Sequence, residues 1–226
     1  MVIPYYVAPE QMAQDKAEYA RKGIAKAKPV VALRFDGGVL LVAENPSSSL
    51  NKISEIYDNI AFAGAGNYSE YENLRKAGIR HADLKGYAYG REDVTAKSLA
   101  NAYSQTIGNI FSHEIKPLEV EIVVAEALDD GQAGLYRISF DGSIGEEGDF
   151  AATGGQAEEI KNYLAANYRA SLDLKGALTL ALNALEAAAK QTIAVNRLEV
   201  AILDRARQGR KFRRIPPLEL AKILEK

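Results

Sequence analysis

The chain has 226 residues, of which 47% are hydrophobic, and this length and composition supply one domain with a well-buried core. Its 28 basic and 30 acidic residues give a formal charge of −2 at pH 7, which argues against nucleic acid or a membrane as partner. The absence of cysteine excludes disulfides, thiolate metal sites and a cysteine nucleophile. Because His81 and His113 are its only histidines, we expect no multi-histidine metal centre and no cofactor.

The N-terminus predicts a soluble protein that starts with an aromatic lead and a helix. The opening residues "MVIPYYVAPEQ" lack the basic and apolar regions of a signal peptide, and no run reaches the roughly 18 apolar residues of a membrane span. We therefore expect a cytoplasmic location. A helix is predicted from Pro9 to Lys22, because proline suits a first helical turn and Gly23 can end the helix in a left-handed conformation.

Two hairpins are predicted after this helix. In each, two runs of strand-forming residues are joined by turn-forming Asp, Gly or Asn, and together they predict four antiparallel strands. The runs are "VVALRF" (30–35), "VLLVAE" (39–44), "KISEIY" (52–57) and "NIAFAGA" (59–65).

The middle of the chain predicts two helices and then a second sheet. From Asn67 onward, apolar residues recur with helical spacing, imperfectly up to Ala82 and clearly from Leu99 to Phe111. The strands predicted next are "VEIVVAEAL" (120–128), "GLYRISF" (134–140) and, after the turn at Asp141 and Gly142, "DFAAT" (149–153).

The C-terminal third predicts two helices, two strands and a last short helix. Gly154 and Gly155 open a helix that runs to about Tyr168, and "LKGALTLALNALEAAAK" (174–190) has the composition of a buried helix. Strands follow at "LEVAILD" (198–204) and "KFRRI" (211–215), and a helix follows Pro216 and Pro217. Separate strand pairs and helix pairs predict an α+β fold, a four-layer αββα sandwich of two antiparallel sheets with helices outside.

Four segments resemble the α-subunit of the actinobacterial-type 20S proteasome: "YARKGIAKAK", "VVALRFDGGVLLVAENPSSSLNKISEIYDNIAFAGAGNYSEYENL", "GYAYGREDVTAKSLANAYSQTIG" and "LYRISFDGSI". The resemblance covers essentially the whole chain. It implies a single proteasome-type domain over residues 1–226, with the sandwich fold of the N-terminal-nucleophile hydrolases. It also implies a gate segment at residues 1–8 and an extra N-terminal helix at residues 9–22.

The resemblance also implies that the chain is not catalytic. In catalytic β-subunits an N-terminal threonine attacks the peptide carbonyl, assisted by its own α-amine, an acid and a lysine. In an alignment with a β-subunit start, Glu44 and Lys52 fall at the positions of that acid and lysine. Lys28 and Pro29 stand in the place of the nucleophile, and they supply neither a hydroxyl nor a free α-amine.

The function implied by the resemblance is that of a heptameric outer ring. Such a ring gates substrate access, docks activators and supports assembly with the catalytic β-subunit rings, and its other partner is a ring-shaped ATPase. The resemblance assigns Lys52 to the binding of the activator's C-terminal carboxylate. It assigns the gate to Pro4, Tyr5, Tyr6, Val7, Ala8 and Pro9.

The N-terminal helix is expected to carry contacts between ring neighbours, because it precedes the fold and has few neighbours of its own. Its apolar residues cover a wide arc. They are Met12, Ala13, Ala17, Tyr19 and Ala20.

Plainer interpretations remain for several features. Without the resemblance, Lys52 is a solvated lysine at a strand start and Glu44 is a strand-end acid or a local ion pair. A hydrolase triad that includes Ser47 to Ser49 and His113 is disfavoured, because no G-x-S-x-G sequence occurs. Gly154 and Gly155 are interpreted as a turn, since they lack the spacing of a phosphate-binding loop.

A basic run near the C-terminus is interpreted as a solvated sheet edge that discourages strand addition, and not as a phosphate site. It comprises Arg207, Arg210, Lys211, Arg213 and Arg214.

Two other functions stay open at this point. One is an active peptidase or amide hydrolase of the same fold, which needs a Ser, Thr or Cys at a processed N-terminus. Thr95, Thr106 and Thr153 are predicted inside helices or late strands and do not suit this role. The other is a stand-alone interaction module of the same fold.

Overall fold

A computed structural model describes residues 8–47 and 49–225 of the chain. Within these residues the chain forms six α-helices and ten strands. The first half contains α1 (Pro9–Ala25), β1 (Val30–Phe35), β2 (Gly38–Glu44), β3 (Ile53–Tyr57), β4 (Ile60–Gly66), α2 (Tyr68–Ala88) and α3 (Ala96–His113). The second half contains β5 (Val120–Ala127), β6 (Ala133–Ile138), β7 (Ile144–Glu147), β8 (Phe150–Thr153), α4 (Ala157–Asn167), α5 (Leu174–Ala189), β9 (Leu198–Asp204), β10 (Phe212–Ile215) and α6 (Pro217–Glu225).

The strands form two antiparallel five-stranded sheets. The strand order is β10-β9-β2-β1-β8 in the first sheet and β3-β4-β5-β6-β7 in the second. The first four strands therefore do not form one sheet, as their order along the chain suggested, because each hairpin joins later strands instead. The short strand β7 was not predicted.

The helices cover the outer faces of both sheets and produce the predicted four layers. Helices α4, α5 and α6 pack on the first sheet, where Ile160, Leu178 and Leu220 are buried. Helices α2 and α3 pack on the second sheet around Phe62 and Ile107. The αββα sandwich with an additional N-terminal helix is confirmed.

Side chains that cap helices explain where three of the helices begin. The Asn67 side chain accepts a hydrogen bond from the amide of Ser69 at the start of α2 (3.1 Å). Thr95 and Asp173 act in the same way at the starts of α3 and α5. These short polar side chains satisfy amides that lack an intrahelical partner. None of the helices in residues 8–47 and 49–225 has the length and apolar character of a membrane span.

The layer between the two sheets is built mainly from small side chains. Nine of its seventeen buried residues are alanine, among them Ala63, Ala125 and Ala201. The layers under the helices contain more Leu, Ile and Phe. Small side chains let two sheets approach closely, and such a layer has little room for added volume.

We expect Ala125→Leu to lower the free energy of unfolding by about 1–3 kcal/mol, because added methylenes in a packed layer force strained rotamers and backbone shifts. Urea unfolding of the purified chain measures this change. Ala165→Leu, which makes the same substitution at an exposed position of α4, is the matched control. Equal effects at the two positions would contradict a tightly packed layer.

Candidate functional site

Three predicted site residues meet where β1 begins. Strands β1 and β2 pair with Val30 opposite Ala43, so Lys28, just before β1, lies beside Glu44 at the end of β2. The Lys28 ammonium lies 3.0 Å from the Glu44 carboxylate. The Lys52 ammonium donates a hydrogen bond to the main-chain carbonyl of Lys28. Glu44 thus binds the side chain of Lys28, and Lys52 binds the main chain of the same residue.

Glu44 is a buried acid in a local ion pair, as its position at a strand end favoured. Only 2% of its side chain is exposed, and it lies between the half-exposed cations of Lys28 and Arg197. The guanidinium of Arg197 lies 2.7 Å from the carboxylate. A buried carboxylate is stable only with such partners, so the three side chains form one structural unit.

Lys52 is buried, and its interpretation as a solvated lysine is wrong. The residue is 8% exposed. Burial lowers the pKa of Lys52 to about 8, an effect that the carboxylates of Glu199 and Glu44 partly offset. Near neutral pH the side chain is still mostly protonated, and it can present a charged donor to a carboxylate.

Within residues 8–47 and 49–225, the cluster contains no nucleophile. Lys28 and Pro29 occupy the start of β1, and α1 with its following turn joins them from the N-terminal side. Thr153 lies opposite Val30 in the sheet, but its hydroxyl is fully buried and donates to Glu121 (2.7 Å). The acid and lysine pair of a threonine protease is therefore present without the group that it would activate.

Gly154 and Gly155 form a turn, as predicted, and the turn lets the segment before β1 pack closely. The amide of Gly155 donates to the carbonyl of Ala27 (2.9 Å). A Cβ atom at position 155 would lie 2.7 Å from the carbonyl oxygen of Ala25. The two glycines thus allow the backbone approach that places Lys28 beside Glu44.

Sequence reasoning missed Glu199, a nearly buried acid of β9 that joins the two sheets at this site. Its carboxylate accepts hydrogen bonds from the amides of Lys52 (2.8 Å) and Ile53 (3.1 Å). The available signal was an acid at an inward-facing position of the apolar run "LEVAILD". Alternation along β9 puts it on the same face as Ala201 and Leu203, which lie between the sheets.

A cleft of about 490 Å³ adjoins the cluster beside the end of α1. It is bounded by the last turns of α1 and by the loop after β4, and Lys22 and Lys26 bring positive charge to it. Ala27, which also lines it, precedes Lys28 directly. Glu119 also lines the cleft, so its walls carry charges of both signs, and Lys52 is not among the lining residues.

The predicted contact residues of α1 divide between two faces. Ala20 is fully buried against Phe140 in the same chain, and Ala17 packs on that cluster. Met12 and Tyr19, two turns apart on another face, are each 47% exposed. Ala13 is also exposed, but helical spacing places it on the side of Ala17 and Ala20. Met12 and Tyr19 thus form the main surface of α1 that is open to a neighbour.

The predicted gate residues lie mostly outside the described part of the chain. Pro4, Tyr5, Tyr6 and Val7 fall before residue 8. Ala8 is exposed and precedes α1, and Pro9 is the first residue of the helix.

The basic run lies at a sheet edge, as predicted, because β10 is the outermost strand and Arg207, Arg210 and Arg214 are exposed. Lys211 is the exception, since it is buried, and each member of the run also has a partner in the chain. Arg210 binds Glu55 of β3, and Lys211 is buried against Asp129. Arg207 donates to the carbonyl of Phe212, and Arg213 and Arg214 pair with Glu219 and Glu199. The run ties β10 and the loop before it to three other elements.

Known proteins match this chain along most of its length. Residues 24–203 match the family described as Proteasome subunit. A protein of Xylanimonas cellulosilytica named "Proteasome subunit alpha" is 53% identical, covering 95% of this chain and 93% of the relative. Relatives with the same name from Thermomonospora curvata and Kineococcus radiotolerans are 50% and 51% identical, and each comparison covers 99% of this chain and 98% of the relative.

We expect Lys52→Met to remove the contribution of Lys52 to the free energy of unfolding, a contribution that depends on pH. The pKa of Lys52 is about 8 in the folded chain, against 10.5 for an ordinary lysine. Between these values the unfolded chain binds more protons, so the wild-type free energy of unfolding rises with pH, by up to about 1.4 kcal/mol per pH unit. The penalty of the buried charge is complete below pH 8 and fades above it.

Urea titrations of both chains from about pH 7 to about pH 10.5 measure this dependence, and the difference between the two chains isolates the contribution of Lys52. A constant difference across that range would contradict a lowered pKa at Lys52.

Proposed function

The chain belongs to the proteasome subunit family and is a non-catalytic α-type member, and from this premise we propose that seven copies form the outer ring of a 20S core. The observation that carries the proposal is the intact pair of Glu44 and Lys52 around Lys28, where a catalytic chain has its nucleophile. Without a hydroxyl and a free amine at that point, the work of the chain is assembly, gating and docking. The catalytic partner is a proteasome β-subunit, and the complex acts in the cytoplasm.

The exposed face of α1 supports the ring contacts. Met12 and Tyr19 are large apolar side chains of which 47% is exposed on a helix at the margin of the fold. Contact with a second copy would remove this apolar surface from water. Ala17 and Ala20 support α1 from within its own subunit, and Ala13 is exposed one turn before Ala17.

The fixed position of Lys52 supports its docking role. A carboxylate at the C-terminus of an activator tail needs a cation whose position is fixed, and Lys52 is held by its backbone at the start of β3. Its ammonium makes one hydrogen bond to Lys28 and keeps further protons to donate. The activator is a ring-shaped ATPase with several such tails.

Docking and gating share a structural element. The Lys28 carbonyl that Lys52 holds lies in the segment between α1 and β1, and the gate residues Pro4 to Pro9 precede or begin α1. A carboxylate that draws the Lys52 ammonium away from Lys28 would loosen this segment. Tail binding would then shift the population of gate conformations if the open state binds the tail more tightly.

We expect the native mass of the assembled protein to correspond to about seven or fourteen chains. Native mass spectrometry of the chain alone, and together with its β-subunit, measures this state. In parallel, the pure chain should hydrolyse no peptide, because the start of β1 has no nucleophile. A stable monomer would contradict the ring. Turnover that is lost on replacement of a single Thr or Ser would favour the alternative, an active hydrolase of the same fold.

We expect Lys52→Ala to abolish or strongly reduce stimulation of the α/β particle by the ATPase. A charge-assisted hydrogen bond contributes about 1.5–3 kcal/mol, or roughly 10- to 150-fold in affinity per tail. Several tails engage one ring, so the loss multiplies. Lys52→Arg should keep part of the binding, because it keeps the charge without the compact ammonium.

Two controls separate docking from folding and from the gate. Because Lys52 is buried, the native mass of the variant particle must first match that of the wild type. A particle that lacks residues 2–8 should hydrolyse peptides faster without activator, whether or not Lys52 is replaced. Unchanged stimulation of the Lys52→Ala particle would contradict the docking role, and unchanged hydrolysis by the truncated particle would contradict the gate.

A further inference from the structure

Glu199 is a nearly buried carboxylate for which the proposed function gives no reason. Only 10% of its side chain is exposed, and it lies on the face of β9 that points toward the second sheet. A carboxylate at such a place costs free energy unless donors fill its lone pairs. The identity of these donors therefore indicates what the residue does.

The donors converge on Glu199 from three other parts of the chain. Oε2 accepts from the amide of Lys52 (2.8 Å) and from the Asn45 side chain (2.7 Å). Oε1 accepts from the amide of Ile53 (3.1 Å) and from Arg214 of β10 (2.6 Å). The first sheet thus sets the position at which β3 of the second sheet begins, and Lys52 stands at that point.

The Asn45 side chain extends this control to the Ser-rich turn. It donates to the carbonyl of Leu50 (2.6 Å) and accepts from the amide of Ser47 (3.0 Å). The side-chain amide of Asn45 therefore links the two ends of the turn before Lys52, and Glu199 orients this amide through its own hydrogen bond. A shift of the Glu199 carboxylate would move the backbone before Lys52 through Asn45, and the backbone at Lys52 and Ile53 through their amides.

The charges around the Lys52 ammonium come from three elements. Glu199 of β9 and Glu44 of β2 favour its protonated form, and Lys28 before β1 opposes it. Arg214 pairs with Glu199, and Arg197 pairs with Glu44. Glu199 is the carboxylate with the larger influence on the pKa of Lys52. Arg214 lies 2.6 Å from the same carboxylate, so its positive charge opposes that influence.

We propose that Glu199 is the positioning residue of Lys52. Glu199 fixes the start of β3, and its negative charge favours the protonated Lys52 ammonium, which can then bind an incoming carboxylate. This role rests on the docking function proposed above. The part that concerns the ammonium itself can be tested without an activator.

The first test measures the protonation of Lys52 in Glu199→Gln and Arg214→Met chains. Each is labelled with acetic anhydride over a range of pH, and mass spectrometry of the Lys52 peptide gives the midpoint at which the neutral amine appears. We expect the midpoint to fall in Glu199→Gln, because a negative charge is lost. We expect it to rise in Arg214→Met, because the charge of Glu199 is then no longer offset.

A merely structural role predicts a different sign for Glu199→Gln. If that substitution only loosens the site, water reaches Lys52 and the midpoint rises toward the value of an exposed lysine, whereas a rise in Arg214→Met is expected in either case. Glu55→Gln is the matched control, since Glu55 also binds an arginine across the sheets, Arg210, but has no contact with Lys52. Its midpoint should equal that of the wild type. A midpoint in Glu199→Gln that rises or stays would overturn the proposal, and if that chain does not fold, a midpoint that falls or stays in Arg214→Met would do so.

The second test separates this inference from the docking function. A synthetic peptide with the C-terminal sequence of the cognate ATPase is titrated into the assembled particle as free acid and as amide. We expect Glu199→Gln to weaken binding of the free acid and to move its pH midpoint downward, with no effect on the amide. If the labelling midpoint moves as expected but the wild type does not distinguish the two peptides, the docking function fails and the positioning role of Glu199 stands. If the wild type distinguishes them and neither midpoint moves in Glu199→Gln, the positioning role fails.

Discussion

The close approach of the two sheets is the constraint on which the rest of this structure depends. The layer between them is lined mainly by alanine, so polar side chains fit only at its ends, where the strands begin or finish. Glu44, Lys52 and Glu199 all occupy such ends. Each is buried enough to need partners, and each finds them on another strand or on the segment before β1. The packing of the sheets thus creates the charged cluster and determines how tightly it is held.

This arrangement explains why an acid and a lysine persist without a nucleophile. In a catalytic relative the pair would serve a threonine at the start of the first strand, whereas here both groups bind Lys28, the residue in that place. Replacement of Glu44 would leave Lys28 and Arg197 without their shared carboxylate, and replacement of Lys52 would release the Lys28 carbonyl. The constellation therefore has a structural reason to remain, and a protonated lysine in it is suited to bind a carboxylate.

The sequence predicted most of the individual elements and little of their long-range pairing. Strands β1 and β2 and helix α5 were evident, because strong alternation or a nearly uniform apolar composition marks them. Strand β7, "IGEE", escaped notice since it is short, lies at a sheet edge and has only one large apolar residue. The assignment of the first four strands to two sheets depends on contacts with β5, β8 and β9, which no local pattern contains.

Long-range contacts also limited what the sequence could predict about the site. The alignment brought Glu44 and Lys52 to attention, but burial of Lys52 and the four donors on Glu199 arise only when distant strands meet. The edge position of the basic run was predictable, but its partners and the burial of Lys211 were not, because Glu55, Asp129, Glu199 and Glu219 reach it from elsewhere in the fold.

The place of β9 in the first sheet has a consequence for the synthesis of the protein. Strand β9 lies between β2 and β10, with Leu41 opposite Ala201, so one edge of the first hairpin stays open until the last part of the chain leaves the ribosome. A nascent or truncated chain exposes that edge and lacks the acid that sets the start of β3. Such a chain cannot complete the first sheet, and its charged cluster lacks the hydrogen bonds that Glu199 makes to the start of β3.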